Sequence, residues 1–430
     1  MWLRSDTPSS LRQRLRLAQD VGRDQYAPAI FIGLCYMAIT TMWTLYSAYV
    51  PVLLQVDYGL RATAIGAVMM LDNLTALLIQ PWIGARSDRL RSRWGKRLPF
   101  IVVSAPVAAV GFALIPLVHQ HLDGLATFVG VVMVMLVAMA AMRVPLFALL
   151  PDLIPPDRRS TANGIINVFG GIGIMIATVG LGWLYRLNRA GPFAVAGILL
   201  LITTGLLSVA MPWLRQRYAV QPEQEGESPP SNSLLMLKDV LAENWRGVPL
   251  LLVAIFLYTF GINAVETFFT LYGRNVLALS EEMALMMLGV FFLTYMLASV
   301  PSGMVGERHG RQRVMILGLT ALSGLVLLAF VVRTWWGTLL VLPLGGLAWA
   351  AVNANALPLL LAMSPPGHAG SAIGLYYAST TLASIVSPLV NGKLIDIGNE
   401  DYNLAILATS VAAGLAALTM LGMGRWGRRR

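Results

Sequence analysis

The stretch GARSDRLRSRWGKRLPFI, from Gly84 to Ile101, holds six Arg or Lys side chains between two long apolar runs. The whole chain of 430 residues is 57% hydrophobic and only 12% charged, which is about half the charged share of a soluble protein. Apolar runs of about 18 residues or more recur along it, and each can cross a bilayer core as a helix. The pattern therefore predicts a membrane protein with a basic loop at one surface.

We predict twelve membrane spans, so both termini lie on the same side. They fall at 28–54, 61–84, 98–118, 125–150, 160–185, 191–212, 247–272, 282–304, 313–332, 337–362, 369–393 and 402–423. The connections on the side of the termini carry 24 Arg or Lys and those on the other side carry six, with Arg143 inside a span. Because cytoplasmic loops carry the excess of positive charge, this asymmetry predicts cytoplasmic termini and a location in the cell inner membrane.

The chain divides into two similar halves. The motif GARSDR at Gly84 returns as GMVGER at Gly303, and PPDRRSTANG at Pro155 returns as PPGHAGSAIG at Pro365. Between the halves, QPEQEGESPPSNS is typical of a flexible linker. We expect a tail at 1–27, a six-helix bundle at 28–212, a linker at 213–246, a second bundle at 247–424 and a basic tail at 425–430. Such a duplication is a transporter plan, with the binding site at midplane between the halves.

Three charged side chains lie within predicted spans: Asp72, Arg143 and Glu266. A charge at the centre of a bilayer costs roughly 2.5–3.5 kcal/mol on insertion scales, so each is a functional candidate. We interpret them as candidates for proton coupling and rank Glu266 slightly ahead of Asp72. Asp152 and Asp396 stand at span ends, where we expect ordinary surface charges.

Polar and aromatic residues form stripes along several spans, and a polar stripe must face protein or water rather than lipid. Hydroxyl, amide and ring groups of this kind suit a ligand rich in hydroxyls. The candidates for substrate binding are Tyr36, Thr40, Thr44, Tyr46, Asn73, Asn163, Asn167, Tyr258, Asn263, Thr270, Trp349 and Asn353. In the alternative interpretation, Asn and Thr only hold helices together, and Trp and Tyr near span ends are interfacial anchors.

Several function classes are not supported by the sequence. It has no G-x-x-x-x-G-K-[ST] loop for ATP, and its four histidines have no metal-ligand spacing. We therefore expect no enzyme activity, no cofactor and no metal. The lone Cys35 allows no intrachain disulfide. The net charge of +10 reflects loop asymmetry rather than binding of nucleic acid.

The repeated G-x-x-x-[acid]-R motif resembles the signature of the major facilitator superfamily. Within it, SDRLRSRWGKRLPFI at 87–101, PVLLQ at 51–55 and PDLIPPDRRSTANG at 151–164 are similar to the sucrose/proton symporters and glycoside–cation symporters. The resemblance implies an all-helical fold of two six-helix bundles and proton-coupled symport of a sugar, either a di- or oligosaccharide or a glycoside. It also implies a cytoplasmic gate. Its residues would be Gly84, Asp88, Arg89, Gly95 and Arg97, with Glu307, Arg308 and Gly310 as the second-half counterparts.

The chain also departs from that group. Sodium-coupled glycoside carriers place carboxylates where this chain has Ala76 and Gln80, which puts sodium coupling in doubt. Three functions stay open: a sugar/proton symporter, a proton-driven exporter of drugs or amphiphiles, and a membrane scaffold without transport activity. We expect a monomer whose partners are a small molecule, protons and the lipid bilayer.

Overall fold

The structure is a computed structural model that describes residues 25–118, 124–218, 247–364 and 368–424. Most of the predicted N-terminal tail at 1–27, most of the predicted linker at 213–246 and all of the predicted tail at 425–430 lie outside these residues.

In the part of the chain that the structure describes, twelve helices are long and apolar enough to cross a membrane, which agrees with the predicted number of spans. They are α1 (Ala27–Val56), α2 (Ala62–Arg89), α3 (Leu98–Leu117), α4 (Leu125–Leu153), α5 (Thr161–Leu187), α6 (Gly191–Tyr218), α7 (Val248–Asn275), α8 (Glu281–His309), α9 (Arg311–Val332), α10 (Trp335–Met363), α11 (Gly370–Ile397) and α12 (Asn403–Gly422). Helix α5 contains one π-helical stretch, Ile176–Leu181. No strand occurs in the residues described.

The basic connection after α2 is shorter than predicted. Helix α2 continues to Arg89, so Gly84 and Asp88 are helical and the prediction of a loop over 85–97 was wrong at its start. Helix α8 likewise continues to His309, and Gly310 separates it from α9. Long basic side chains can reach water from the end of a helix, so a charged sequence does not require the helix to stop where the apolar run stops.

Both halves pack their helices in the same way. In the first half α1 packs on α5 and α6, α3 packs on α4 and α6, and α2 packs on α4. The second half repeats these pairs: α7 packs on α11 and α12, α9 packs on α10 and α12, and α8 packs on α10. The internal duplication of the sequence therefore corresponds to two six-helix bundles that pack their helices in the same order.

In the described residues, the halves contact each other mainly through α2 with α11, α5 with α8 and α1 with α7, and α1 also meets α8. We call the end that holds the α1–α2 connection the outer end, and the opposite end, which holds the basic connection after α2, the terminal end. In the described residues, the hydrogen bonds and ion pairs between halves run from Asn73, in mid-helix, to the outer end. The halves are thus joined at the outer end and separate toward the terminal end.

The outward surface of both bundles is apolar. Val209, Val300, Leu317 and Leu340 are each at least 70% exposed, which soluble proteins rarely tolerate over a continuous surface. Aromatic side chains such as Phe112, Phe193 and Phe268 fill the interiors of the bundles instead. This arrangement is that of a multi-pass membrane protein whose lipid surroundings cover the exposed apolar belt.

Candidate functional site between the two halves

A charged cluster lies inside the first half. Asp72 of α2 is 7% exposed, and the charged side chain that acts on it electrostatically is Arg143 of α4. Within the described part of the chain, no ion pair within 4 Å and no hydrogen bond joins them. The guanidinium of Arg143 lies 5.8 Å from the ring centre of Trp43, a cation–π arrangement. The structure therefore brings Asp72 and Arg143 into one cluster without direct contact.

Two aromatic side chains of α1 complete this cluster. Tyr46, a predicted binding residue, is buried, and the charge of Asp72 acts on it electrostatically. In the residues described, its hydroxyl has no hydrogen-bond partner. Trp43 was missed by the sequence analysis. It stands one helical turn from Tyr46 in the sequence, and the intramembrane Arg143 was the signal to look for an aromatic partner.

A second cluster, in the second half, is centred on Tyr295 of α8. The side-chain amide of Asn353 on α10 donates to the Tyr295 hydroxyl at 2.6 Å. Glu266 of α7 acts electrostatically on Tyr295, as does Tyr36 from the first half. Glu266, Asn353 and Tyr36 are predicted site residues, whereas Tyr295, which links them, was not predicted.

Glu266 differs from Asp72 in its electrostatic surroundings. It is half-buried on α7, and in the described residues it has neither a hydrogen-bond partner nor an ion pair within 4 Å. Among the described residues, no cation acts on it as Arg143 acts on Asp72. Glu266 is therefore an intramembrane carboxyl without a counter-charge.

Aromatic rings stand on both sides of the boundary between the halves. In the second half Tyr258 and Trp349 meet edge to face, with ring centres 5.4 Å apart. In the first half Tyr36 meets Phe147 edge to face at 5.0 Å. Tyr258 and Trp349 are buried, at 2% and 8% exposed, whereas Tyr36 and Phe147 are half-buried, so the rings that can present a flat apolar face to a ligand are those of the first half.

The polar groups of several predicted binding residues donate hydrogen bonds to backbone carbonyls of the helices. The Thr40 hydroxyl donates to the carbonyl of Gly170 on α5 at 3.0 Å. Thr44 donates to the Thr40 carbonyl at 2.8 Å, and Asn263 donates to the Thr259 carbonyl at 2.9 Å. For these residues the structure favours the alternative interpretation, in which Thr and Asn bind helices together.

The remaining predicted binding residues lie in three different places. Asn73 donates to the Ser384 carbonyl of the second half at 3.4 Å, and Thr270 is buried. Asn163 and Asn167 are exposed on α5. They share a helix face with Gly171, which meets Met296 of the second half, so they stand where the two halves separate.

Two of the predicted gate residues of the first half, Asp88 and Arg97, lie in a compact ion cluster at the terminal end. Arg97 contacts Asp88 at 2.6 Å and Asp152 at 3.2 Å, and it donates to the Ser87 hydroxyl at 2.6 Å. Arg89 is exposed and has no ion pair in the described residues. Every member of this cluster belongs to the first half.

The backbone at the gate contains two glycines with positive φ. Gly95 and Gly310 have φ of +94° and +93°, values that favour glycine. Gly84 instead faces Val144 of α4 at ordinary contact distance. In the second half Glu307 pairs with Arg311 at 3.4 Å, and Arg308 is exposed. The structure thus places the predicted gate residues at the terminal end, where the halves are apart.

With this geometry established, the family follows from comparison with known proteins. A model of the Major Facilitator Superfamily matches residues 32–290 and 277–429. The chain belongs to the Major Facilitator Superfamily. It is a membrane transporter with twelve spans, and it is not an enzyme.

Similar proteins are named for different small molecules. The class C tetracycline resistance protein of Escherichia coli is 25% identical over 85% of this chain and 89% of its own length. The isoprimeverose transporter of Lactiplantibacillus pentosus is 26% identical over 68% of this chain and 61% of its own length. Human proton-associated sugar transporter A is 39% identical, over 20% of this chain and 11% of its own length.

Solved structures of the superfamily share the fold. The nucleoside transporter NupG superimposes with a TM-score of 0.72 over 93% of this chain and 100% of its own, at 13% identity. A bacterial homologue of the iron transporter ferroportin in an inward-facing state gives a TM-score of 0.69 over 93% of this chain and 99% of its own, also at 13% identity.

Proposed function

We propose that this chain is a sugar/proton symporter of the cell inner membrane that works by alternating access as a monomer, with cytoplasmic termini. Its cargo is a di- or oligosaccharide or a glycoside. The observation that carries the proposal is Glu266, a carboxyl without a counter-charge, placed beside the hydrogen-bonded pair Tyr295 and Asn353.

The proton is assigned to Glu266 because of what surrounds it. An intramembrane carboxylate needs a compensating charge. Asp72 has Arg143 nearby, whereas Glu266 has no cation acting on it. A proton that binds and leaves with each cycle supplies that compensation, so Glu266 is the better candidate for the coupling site.

The sugar is assigned from the residues around Glu266 and from the relatives. Asn353 and the Tyr295 hydroxyl can donate to and accept from hydroxyl groups, and the half-buried Tyr36 ring can stack on the C–H face of a sugar. Two relatives are named for sugars, isoprimeverose and the cargo of proton-associated sugar transporter A. The basic stretch at 87–101 also resembles that of sucrose/proton symporters.

The second candidate function is proton-driven export of drugs. It is favoured by likeness over most of the chain to the tetracycline resistance protein and to the fosmidomycin resistance protein of Escherichia coli K12, which is 25% identical over 80% of this chain. Both functions use a proton gradient, and they differ in cargo and in direction.

The test uses purified protein in proteoliposomes with an imposed pH gradient. We expect the gradient to drive uphill accumulation of radiolabelled sucrose or isoprimeverose. Glu266→Gln removes a carboxyl and keeps its shape, so it abolishes uphill accumulation while sugar exchange without a gradient survives. The matched control is Glu400→Gln, which changes a mostly exposed carboxyl at the outer end, in a weak ion pair with Arg61, and leaves accumulation within about twofold.

Two results would overturn the proposal. If neither sugar accumulates and the gradient instead drives tetracycline or fosmidomycin across the membrane, the protein is an exporter. If Glu266→Gln retains uphill sugar accumulation, the proton does not bind there.

A further inference from the structure

Helix α2 begins without a cap of its own. Arg61 occupies the position before its first residue, and no side chain there bonds to the first backbone N–H groups. The first four N–H groups of any helix need partners from outside the helix. Here two of those partners come from the other half of the molecule.

The cap is the carboxylate of Asp396, in the last turn of α11. Its Oδ1 accepts from the Ala62 N–H at 2.9 Å, and its Oδ2 accepts from the Thr63 N–H at 2.9 Å. The Thr63 hydroxyl also donates to Oδ2. One carboxylate on the second half thus receives three donors from the first half.

The hydrogen bonds to Asp396 are stronger than ordinary neutral hydrogen bonds for two reasons. A negative charge at the N-terminus of a helix is stabilised by the helix dipole, and hydrogen bonds to a charged acceptor are roughly twice as strong as neutral ones. By contrast, the nearby pair Arg61–Glu400 has a separation of 3.8 Å and side chains more than half exposed, so it contributes little.

Close backbone packing brings Asp396 within reach. Gly66 of α2 lies against the carbonyl of Pro388, and Gly392 of α11 lies against the carbonyl of Ala62, with no room for a Cβ at either position. The two helices can approach this closely only because both positions are glycine. The contact is therefore specific to the conformation in which the outer end is closed.

The symmetry-related contact between α5 and α8 has no such cap. The acidic residues at the start of α8, Glu281 and Glu282, belong to α8 itself. From the other half, α5 supplies Tyr185, on which Glu281 acts electrostatically, and the charges at and just beyond its outer end are Arg186 and Arg189. Of these two contacts, only the one between α2 and α11 has, in the described residues, a carboxylate of one half that caps a helix of the other half.

We propose that Asp396 is the positioning residue that holds the outer end closed. The inference rests on the proposed alternating access, since a carrier must at some point open its outer end. On opening, Asp396 leaves Ala62 and Thr63, and all three return to water. The strength of this cap then sets the balance between the outer-closed and outer-open states.

The experiment measures that balance directly, without a substrate. Spin labels on cysteines introduced at Arg186 and Trp336, exposed positions at the outer ends of the two halves, report the distance between the halves. The lone native cysteine, Cys35, is 0% exposed and does not compete for the label. We expect Asp396→Ala to raise the ratio of long to short distances about tenfold or more, because it removes three hydrogen bonds to a charged acceptor.

The matched control is Asp401→Asn, in the same outer region. Asp401 pairs with Arg333 of its own half at 3.8 Å, so its loss leaves the distance distribution unchanged. If Asp396→Ala does not purify as folded protein, Thr63→Val removes one donor with little change in shape and gives a smaller shift in the same direction.

If Asp396→Ala folds and its distribution of distances between the labels is unchanged, the proposal is overturned. If Asp396→Ala does not fold, an unchanged distribution in Thr63→Val overturns it. A shift of equal size in Asp401→Asn would also overturn it. Failure of sugar uptake in the unmodified protein would overturn the proposed cargo and leave this inference standing, because the distances are measured without sugar.

Discussion

Arg97 is the residue that gathers the ion cluster at the terminal end. Its side chain is 10% exposed and reaches two carboxylates, Asp88 and Asp152, from different helices. The same guanidinium donates to the Ser87 hydroxyl. Arg97 therefore joins the ends of α2 and α4 to the start of α3 inside the first half.

Arg97→Gln should lower the free energy of unfolding by about 1–3 kcal/mol, because hydrogen bonds to charged groups are worth about that much and two carboxylates lose their cation. The control is Arg89→Gln, at an exposed arginine without an ion pair in the described residues, which we expect to change stability by less than about 0.5 kcal/mol. Thermal unfolding in detergent, followed by tryptophan fluorescence, measures both. An equal loss of unfolding free energy in the two variants would contradict the claim that Arg97 stabilises the ion cluster.

Sequence predicts the type of a buried residue better than its contacts. The intramembrane charges Asp72, Arg143 and Glu266 could be found because charge is rare inside spans. The contacts of Thr40 could not, since helical periodicity gives the face on which a residue lies but not the helix that the face meets. Asp396 was set aside as an ordinary surface charge because its partners, Ala62 and Thr63, are more than 300 residues away in the chain.

At the scale of elements, the contact between α2 and α11 depends on glycine. Gly66→Ala puts a methyl group against the carbonyl of Pro388, which cannot move without its helix. We expect the outer-closed state to weaken, so the outer distance between labels at Arg186 and Trp336 lengthens. The control is Gly205→Ala on α6, with nothing within 4 Å of the added methyl group. That change should be neutral, or stabilising by up to about 1 kcal/mol.

If Gly66→Ala leaves the outer distance unchanged, the two backbones do not need their present separation, and the account of Asp396 loses its structural basis. If Gly205→Ala lengthens the distance equally, the effect belongs to any added methyl group. Both variants keep Asp396, so they test the approach of the helices separately from the cap.

The spans themselves were predictable to within a few residues, because apolar length is set by the thickness of the bilayer. Their ends were less so. Helices α2, α6 and α8 run several residues beyond the predicted spans, to Arg89, Tyr218 and His309. The π-helical stretch Ile176–Leu181 in α5 has no signal in hydropathy, since it changes hydrogen bonding without changing composition.

At the scale of the whole molecule, opening and closing can leave each half intact. The helix pairs within each half follow one repeated pattern, whereas the halves meet through α2–α11, α5–α8 and α1–α7. Rocking one half against the other changes the contacts between the halves and preserves those within each half. Under the proposed orientation the outer end faces away from the cytoplasm, and the present structure opens inward.

That orientation rests on charge, and it can be tested with single cysteines. Arg91 lies in the basic connection at the terminal end, Arg186 lies at the outer end, and both are exposed. In spheroplasts, a membrane-impermeant maleimide should label Arg186→Cys at once and Arg91→Cys only after the membrane is permeabilised. The unsubstituted protein is the control, because Cys35 is fully buried and should stay unlabelled under both conditions. Labelling of Arg91→Cys in intact spheroplasts, with Arg186→Cys protected, would reverse the orientation and turn the present structure into one that opens outward.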